Sequence, residues 1–320
     1  MRTYLLLIGI SLMVLSCKKD KEIDDAILNL EVDVKVERFD RKFAEAKPKD
    51  LASLKANYPF MFSNRFPDEF WINRLTDTLQ VELNTETKKA FPDLNEEEED
   101  ITLFYKHLKY KFPETKIPRV ITATSSVDYR NKVIVTDTIV LISIDTYLGE
   151  NHFFYEGIQN YIKSTMKPEQ MVVDLSNAYA EKYIFQPKRK TLLDEMVYYG
   201  KQLYFNDVMI PFKTDAQKIG YTEAQYDWAK VNEPNVWKYF VERELLYSTD
   251  AKLPNQFINP APFSKFYLEE VDADSPGMIG RYIGWQIVKS YMENNDTSLE
   301  KLLETDAETI FNASRYKPQL

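Results

Sequence analysis

A single cysteine, Cys17, limits how this 320-residue chain can hold itself together. One thiol cannot build a disulfide framework, so the fold has to rest on a buried apolar core. Composition allows this, since 44% hydrophobic and 28% charged residues with only 8 Gly read as globular and neither disordered nor fibrous. No Pro-, Gly- or Ser-rich linker divides the body. One globular unit is expected over residues 30–320, with a sheet-containing lobe at 30–150 and a helical lobe at 151–320.

The position of that thiol says more than its number. Arg2 precedes an apolar stretch from Tyr4 to Leu15. Its length fits the ~7 to 15 residues of a secretion signal and falls short of the ~20 needed to span a bilayer. The run Val14-Leu15-Ser16-Cys17 resembles the lipobox of bacterial lipoproteins. That resemblance implies that residues 1–16 are removed and that Cys17 carries lipid, first on its thiol and then on the freed amine. Each buried CH₂ contributes about 0.8 kcal/mol, and two or more chains anchor stably where one does not. Lys18, Lys19, Asp20, Lys21, Glu22, Asp24 and Asp25 come directly after it, so residues 17–29 read as a solvated tether.

Formal net charge is -9, and it becomes -10 once Arg2 leaves with the signal. Such a body has no electrostatic footprint for nucleic acid, and anionic lipid surfaces repel it. The membrane contact is therefore expected to be the lipid on Cys17. The residues after Cys17 do not choose physically between inner and outer membrane; the outer membrane, facing the periplasm, is the preferred expectation.

Leu30, Val32, Val34 and Val36 alternate with charged residues, which predicts a half-buried strand from Leu30 to Arg38. The acidic run Glu96 to Asp100 opens an apolar stripe at Ile101, Phe104, Tyr105, Leu108 and Phe112, with lysines at the far end. Acid first and base last complements a helix dipole, so this run reads as a helix start and not as a metal site. Short β-branched runs at Val120-Ile121, Lys132 to Val135 and Ile139 to Ile144 predict a small sheet. Beyond Tyr155 the pattern is helical. The expected class is α+β, mostly helical, with a small sheet in the N-terminal half.

Two segments could carry chemistry. Along Lys190 to Phe205 an apolar stripe at Leu192, Met196, Tyr199 and Leu203 predicts a helix that projects Asp194, Glu195 and Tyr198 from its flanks. These three occupy the outline of the zinc-protease helix His-Glu-x-x-His, with both histidines replaced. The chain's two histidines, His107 and His152, cannot form such a pair. A carboxylate site completed by Glu233 or Glu242 would suit a harder cation, whereas the ordinary reading is a solvated or salt-bridged face. In the second segment Ser275 is read as an N-cap and Pro276 as a first-turn proline, with Gly277, Gly280 and Gly284 on one side of the next helix beside Trp285. Glycine costs about 1 kcal/mol in a helix, so the cluster implies close approach, either to a packed helix or to a partner. Tyr198, Tyr199, Tyr204 and Tyr247 could stack on sugars or peptides, although core filling is the commoner use. No Gly-x-Ser-x-Gly elbow, phosphate-cradling loop or spare thiol is present.

Long strings spread through the chain resemble the GldB family of gliding-motility lipoproteins. They include Tyr58-Pro59-Phe60-Met61-Phe62, Asp145-Thr146-Tyr147-Leu148-Gly149 and Asp194-Glu195-Met196-Val197-Tyr198-Tyr199-Gly200-Lys201. Asp128-Tyr129 with Lys132-Val133-Ile134, Phe154-Tyr155, Gly220-Tyr221-Thr222, Glu244-Leu245-Leu246-Tyr247-Ser248-Thr249-Asp250, Ala261-Pro262-Phe263-Ser264-Lys265-Phe266 and Asp274-Ser275-Pro276-Gly277 through Gly284-Trp285-Gln286-Ile287-Val288 complete the set. The resemblance implies a part in the envelope machinery for surface gliding and adhesin secretion, with envelope proteins as partners. More remotely the chain is similar to predicted zinc metallopeptidases that share the Ser-Pro-Gly-x-x-Gly helix. This implies a degenerate zincin-like body in which Asp194 and Tyr198 stand at ligand positions and Glu195 at the base. A non-enzymatic component without a cofactor is the expected function; a metal-dependent peptidase with a carboxylate site is the alternative.

Overall fold

Four short strands, β1 (Val36–Arg38), β2 (Arg119–Ala123), β3 (Val133–Val135) and β4 (Ile139–Ser143), form one sheet in the order β1-β2-β4-β3 in a computed structural model that describes residues 24–318. Cys17, the signal stretch and the start of the tether lie outside the described residues. β1 and β4 both run parallel to β2, while β3 returns antiparallel beside β4 through a tight hairpin. A parallel pair needs a long crossover, and here the helices between Phe39 and Lys111 supply the first one. The chain is otherwise mostly helical. The five helices used below are α1 (Asn95–Lys111), α2 (Met171–Tyr183), α3 (Leu192–Met209), α4 (Glu223–Glu242) and α5 (Ile279–Asn294).

β2 is covered on both faces because successive side chains point opposite ways. Val120, with Val140 and Ile142 of β4, enters the main core, which draws on residues from Val32 to Ile310. Ile121 and Ala123 enter a smaller aromatic core with Phe39, Phe43, Tyr58 and Phe62. The sheet thus lies between a large helical layer and a small one.

The strand expected over Leu30 to Arg38 is laddered only at Val36–Arg38, although Val32, Val34 and Val36 are all buried as the alternation requires. The reason lies on α1: the N–H of Val34 donates to Thr102 Oγ1 (3.3 Å) and that of Val36 to Glu98 Oε1 (2.8 Å). Helix side chains take the place of a neighbouring strand. Glu98 belongs to the acidic run, so that run both starts the helix and pins the extended segment. Part of the stretch read as tether is also docked. Asp25–Leu28 makes one helical turn that buries Ile27, and Lys106 Nζ donates to the Leu28 carbonyl.

α1 also carries His107, which is only 4% exposed and whose Nε2 has no hydrogen-bond partner among the described residues. Burial pushes its pKa down to about 4. The unfolded chain takes up this proton near pH 6.5 and the folded chain only near 4, so the folded state loses stability as pH falls through that window. The full loss is about 3 kcal/mol. Urea titrations at pH 7 and pH 4.5 should show the drop, and His107→Leu should flatten it; an unchanged slope would refute the assignment.

Candidate functional site

α3 begins with a capping box. Thr191 Oγ1 accepts from the Asp194 N–H (3.1 Å), while Asp194 Oδ2 accepts from the N–H groups of Thr191 and Lys190, each at 3.0 Å. Asp194 is therefore occupied in holding the helix start. One position on, Glu195 forms a two-point pair with Arg189, whose guanidinium lies 3.7 Å from the centroid of the Tyr198 ring. All three residues in the protease-like outline are committed to the structure of this turn.

The more distant acids do not join them. Glu233 accepts from the hydroxyls of Tyr282 (2.9 Å) and Tyr316 (2.8 Å), and Glu242 faces Lys238 along its own helix. Among the described residues no three His, Cys, Asp or Glu side chains gather where they could share a metal ion. Nothing in this placement supports a zincin-like centre. The tyrosines do not form one stacking surface either: Tyr198 and Tyr199 meet edge to face, Tyr204 is half-buried, and Tyr247 is 55% exposed.

The glycine cluster divides into two parts. α5 starts at Ile279, behind Met278 in a left-handed conformation, so Ser275, Pro276 and Gly277 precede the helix and Ser275 is not its N-cap. The cap arrives from elsewhere in the chain. Ser264 Oγ accepts from the Ile279 N–H (3.2 Å) and donates to the Pro276 carbonyl (2.6 Å), while Ser275 Oγ bonds back to the Ser264 backbone. A Cβ on Gly277 would sit 2.2 Å from the Ala261 carbonyl oxygen, which is why this turn tolerates no side chain.

Gly280 and Gly284 lie within α5 and answer the question of what approaches so closely. A Cβ on Gly284 would fall 1.8 Å from the Met196 carbonyl oxygen, and one on Gly200 would fall 2.3 Å from that of Gly284. α3 and α5 cross with their backbones touching at the centre of the molecule. Trp285 is fully buried beside the crossing, with Nε1 donating to Asp207 Oδ2 (2.8 Å). Asp207 also meets Lys218 (2.8 Å) and Lys289 (3.6 Å), and both lysines reach Asp215 as well. Two acids and two bases therefore balance in one partly buried network. On the opposite flank Lys201 is fully buried and donates to the Thr305 carbonyl (2.5 Å). Burial pushes its pKa down to about 8.

Beside α3 and α5, a cleft of about 370 Å³ is lined also by α2 and by residues just before the sheet hairpin. Tyr199, Gln202, Asn177 and Arg281 face it, with Lys132 and Lys218 at its sides. Lys132 is paired with Asp174 (3.1 Å) and Lys218 with the network just described. Arg281 lies 3.8 Å over the Tyr199 ring and donates through Nε to the Ile258 carbonyl (2.7 Å). Its two terminal nitrogens have no partner among the described residues. Sequence reasoning passed over Arg281 and Ser264. The available signal for the first was a lone arginine inside an otherwise apolar, glycine-lined first turn.

A family model described as gliding motility protein GldB matches residues 17–318. The chain belongs to the GldB family. No curated protein and no solved structure matches it. As a GldB-family member it is a gliding motility-related protein of envelope type, and no described helix is long and apolar enough to cross a membrane.

Proposed function

We propose that this GldB-family chain is a lipoprotein held in the cell envelope by acyl groups on Cys17, and that it serves the gliding and associated secretion machinery as a non-catalytic component. The body over residues 30–320 acts as one unit that binds envelope proteins, and residues 17–29 link it to the lipid. The outer membrane, periplasmic side, is its preferred site. The observation that carries this reading is the family match, which spans the body and opens at Cys17. The engagement of Asp194, Glu195 and Tyr198 in capping, ion pairing and stacking supports a binding role over hydrolysis.

Palmitate labelling of Cys17→Ser cells should lose the signal and release the protein from membranes. Immunoprecipitation after crosslinking should recover gliding or secretion components, and removing the body while keeping residues 1–29 should abolish gliding. Unlabelled native protein would overturn the anchor, and normal gliding without the body would overturn the role.

A further inference from the structure

The cleft between α2, α3 and α5 contains one cation, Arg281, that touches no carboxylate among the described residues; the Glu195 carboxylate near it is bonded to Arg189 instead. Lys132 and Lys218 on its walls each have a carboxylate within 3.1 Å, whereas Arg281 has a ring and one carbonyl. Arg281 is half-buried, and burial lowers its pKa from the usual arginine value. A cation withdrawn from water without a carboxylate in contact costs free energy that a bound anion would offset. The stacked Tyr199 ring and the Nε bond to Ile258 leave the two terminal nitrogens as a planar fork, which matches a carboxylate in two-point geometry.

Two further groups in the same cleft lack partners among the described residues. Asn177 receives a bond at Oδ1 from Asn206 (2.8 Å), but its Nδ2 donates to nothing. Gln202 donates from Nε2 to the Asn177 carbonyl (3.3 Å), and its Oε1 accepts nothing. A free donor and a free acceptor beside the arginine are what one peptide unit next to a carboxylate would use. Ile162, Val173 and Leu203 supply apolar wall for its side chains. The volume of 370 Å³ lies near the lower end of the ~300 to 1,000 Å³ that take small ligands, so it admits a chain end and not a folded domain.

We infer that this cleft binds the end of a peptide through its free carboxylate, with Arg281 gripping the carboxylate and Asn177 and Gln202 reading the adjoining amide. One unpaired positive charge calls for one negative charge, which favours a carboxylate over a doubly charged phosphate. The inference rests on the reading of the body as a partner-binding module, and it names the part of the partner that enters.

The test uses the full mature lipoprotein immobilised in detergent. It is offered N-acetylated tripeptides with a free C-terminal carboxylate, pooled with isotopically labelled amidated counterparts, and mass spectrometry reads the retained ratio. Acid forms should be retained about tenfold or more over amides, and Arg281→Gln should bring the ratio to near one. Arg281→Lys, which keeps the charge and loses the fork, should fall between. If Arg281→Gln fails to fold, the native ratio still decides, because equal retention of acid and amide overturns the inference. Displacement by inorganic phosphate at concentrations where acetate has no effect would also overturn it. Capture of gliding components without an acid preference sinks this inference alone; an acid preference without such capture sinks the functional reading alone.

Discussion

Gly284→Val is expected to lower folding stability by about 3 kcal/mol or more, which for a chain of this length is a fall of roughly 5 °C or more in thermal midpoint. The new Cβ would lie 1.8 Å from the Met196 carbonyl oxygen and 2.4 Å from its carbon. Both are backbone atoms of α3 and cannot rotate away, so the two helices must separate. Separation opens voids in a core where Ile283, Trp285 and Ile287 of α5 and Met196 and Val197 of α3 are all buried. Val231→Ala, at an exposed site on α4, should stay within about 0.5 kcal/mol and serves as the control. A midpoint shift for Gly284→Val as small as that of the control would show that the crossing is not closely packed.

Asp207→Ala is expected to cost about 3 to 5 kcal/mol in urea unfolding, since removing one partner leaves a buried charge uncompensated. The Lys218 side chain is only 2% exposed and would keep Asp215 alone, at 3.1 Å. Trp285 Nε1 would lose its acceptor inside the core. Adding Lys218→Met to Asp207→Ala should recover part of the loss, because it removes the charge that the first change stranded. A single variant within about 1 kcal/mol of the native chain, or a double variant that is simply additive, would refute the network as a source of stability.

Much of the fold was legible because it depends on local period. Apolar spacing placed α1 and α3, and β-branched runs placed β2, β3 and β4 to within a residue or two. The long strings shared with the GldB family pointed to the family that the match over residues 17–318 then showed. The glycines of the Ser275 to Trp285 segment correctly implied a close approach, without revealing its partner. The chemistry read into α3 was less legible. Asp194 and Glu195 sit where a catalytic outline would put them, yet one caps the helix and the other pairs with Arg189 only six residues away.

Neighbours along the chain were enough to set the helical and extended stretches, and the acidic balance and the single thiol are plain from composition. The folded molecule settled which distant atoms meet. Ser264 caps a helix that starts at Ile279, α1 side chains replace a strand beside Val34 and Val36, and Gly200 faces Gly284 across the crossing. These pairings are set by backbone paths that bring remote segments within hydrogen-bonding or van der Waals distance, and periodicity along one segment has no access to the position of another.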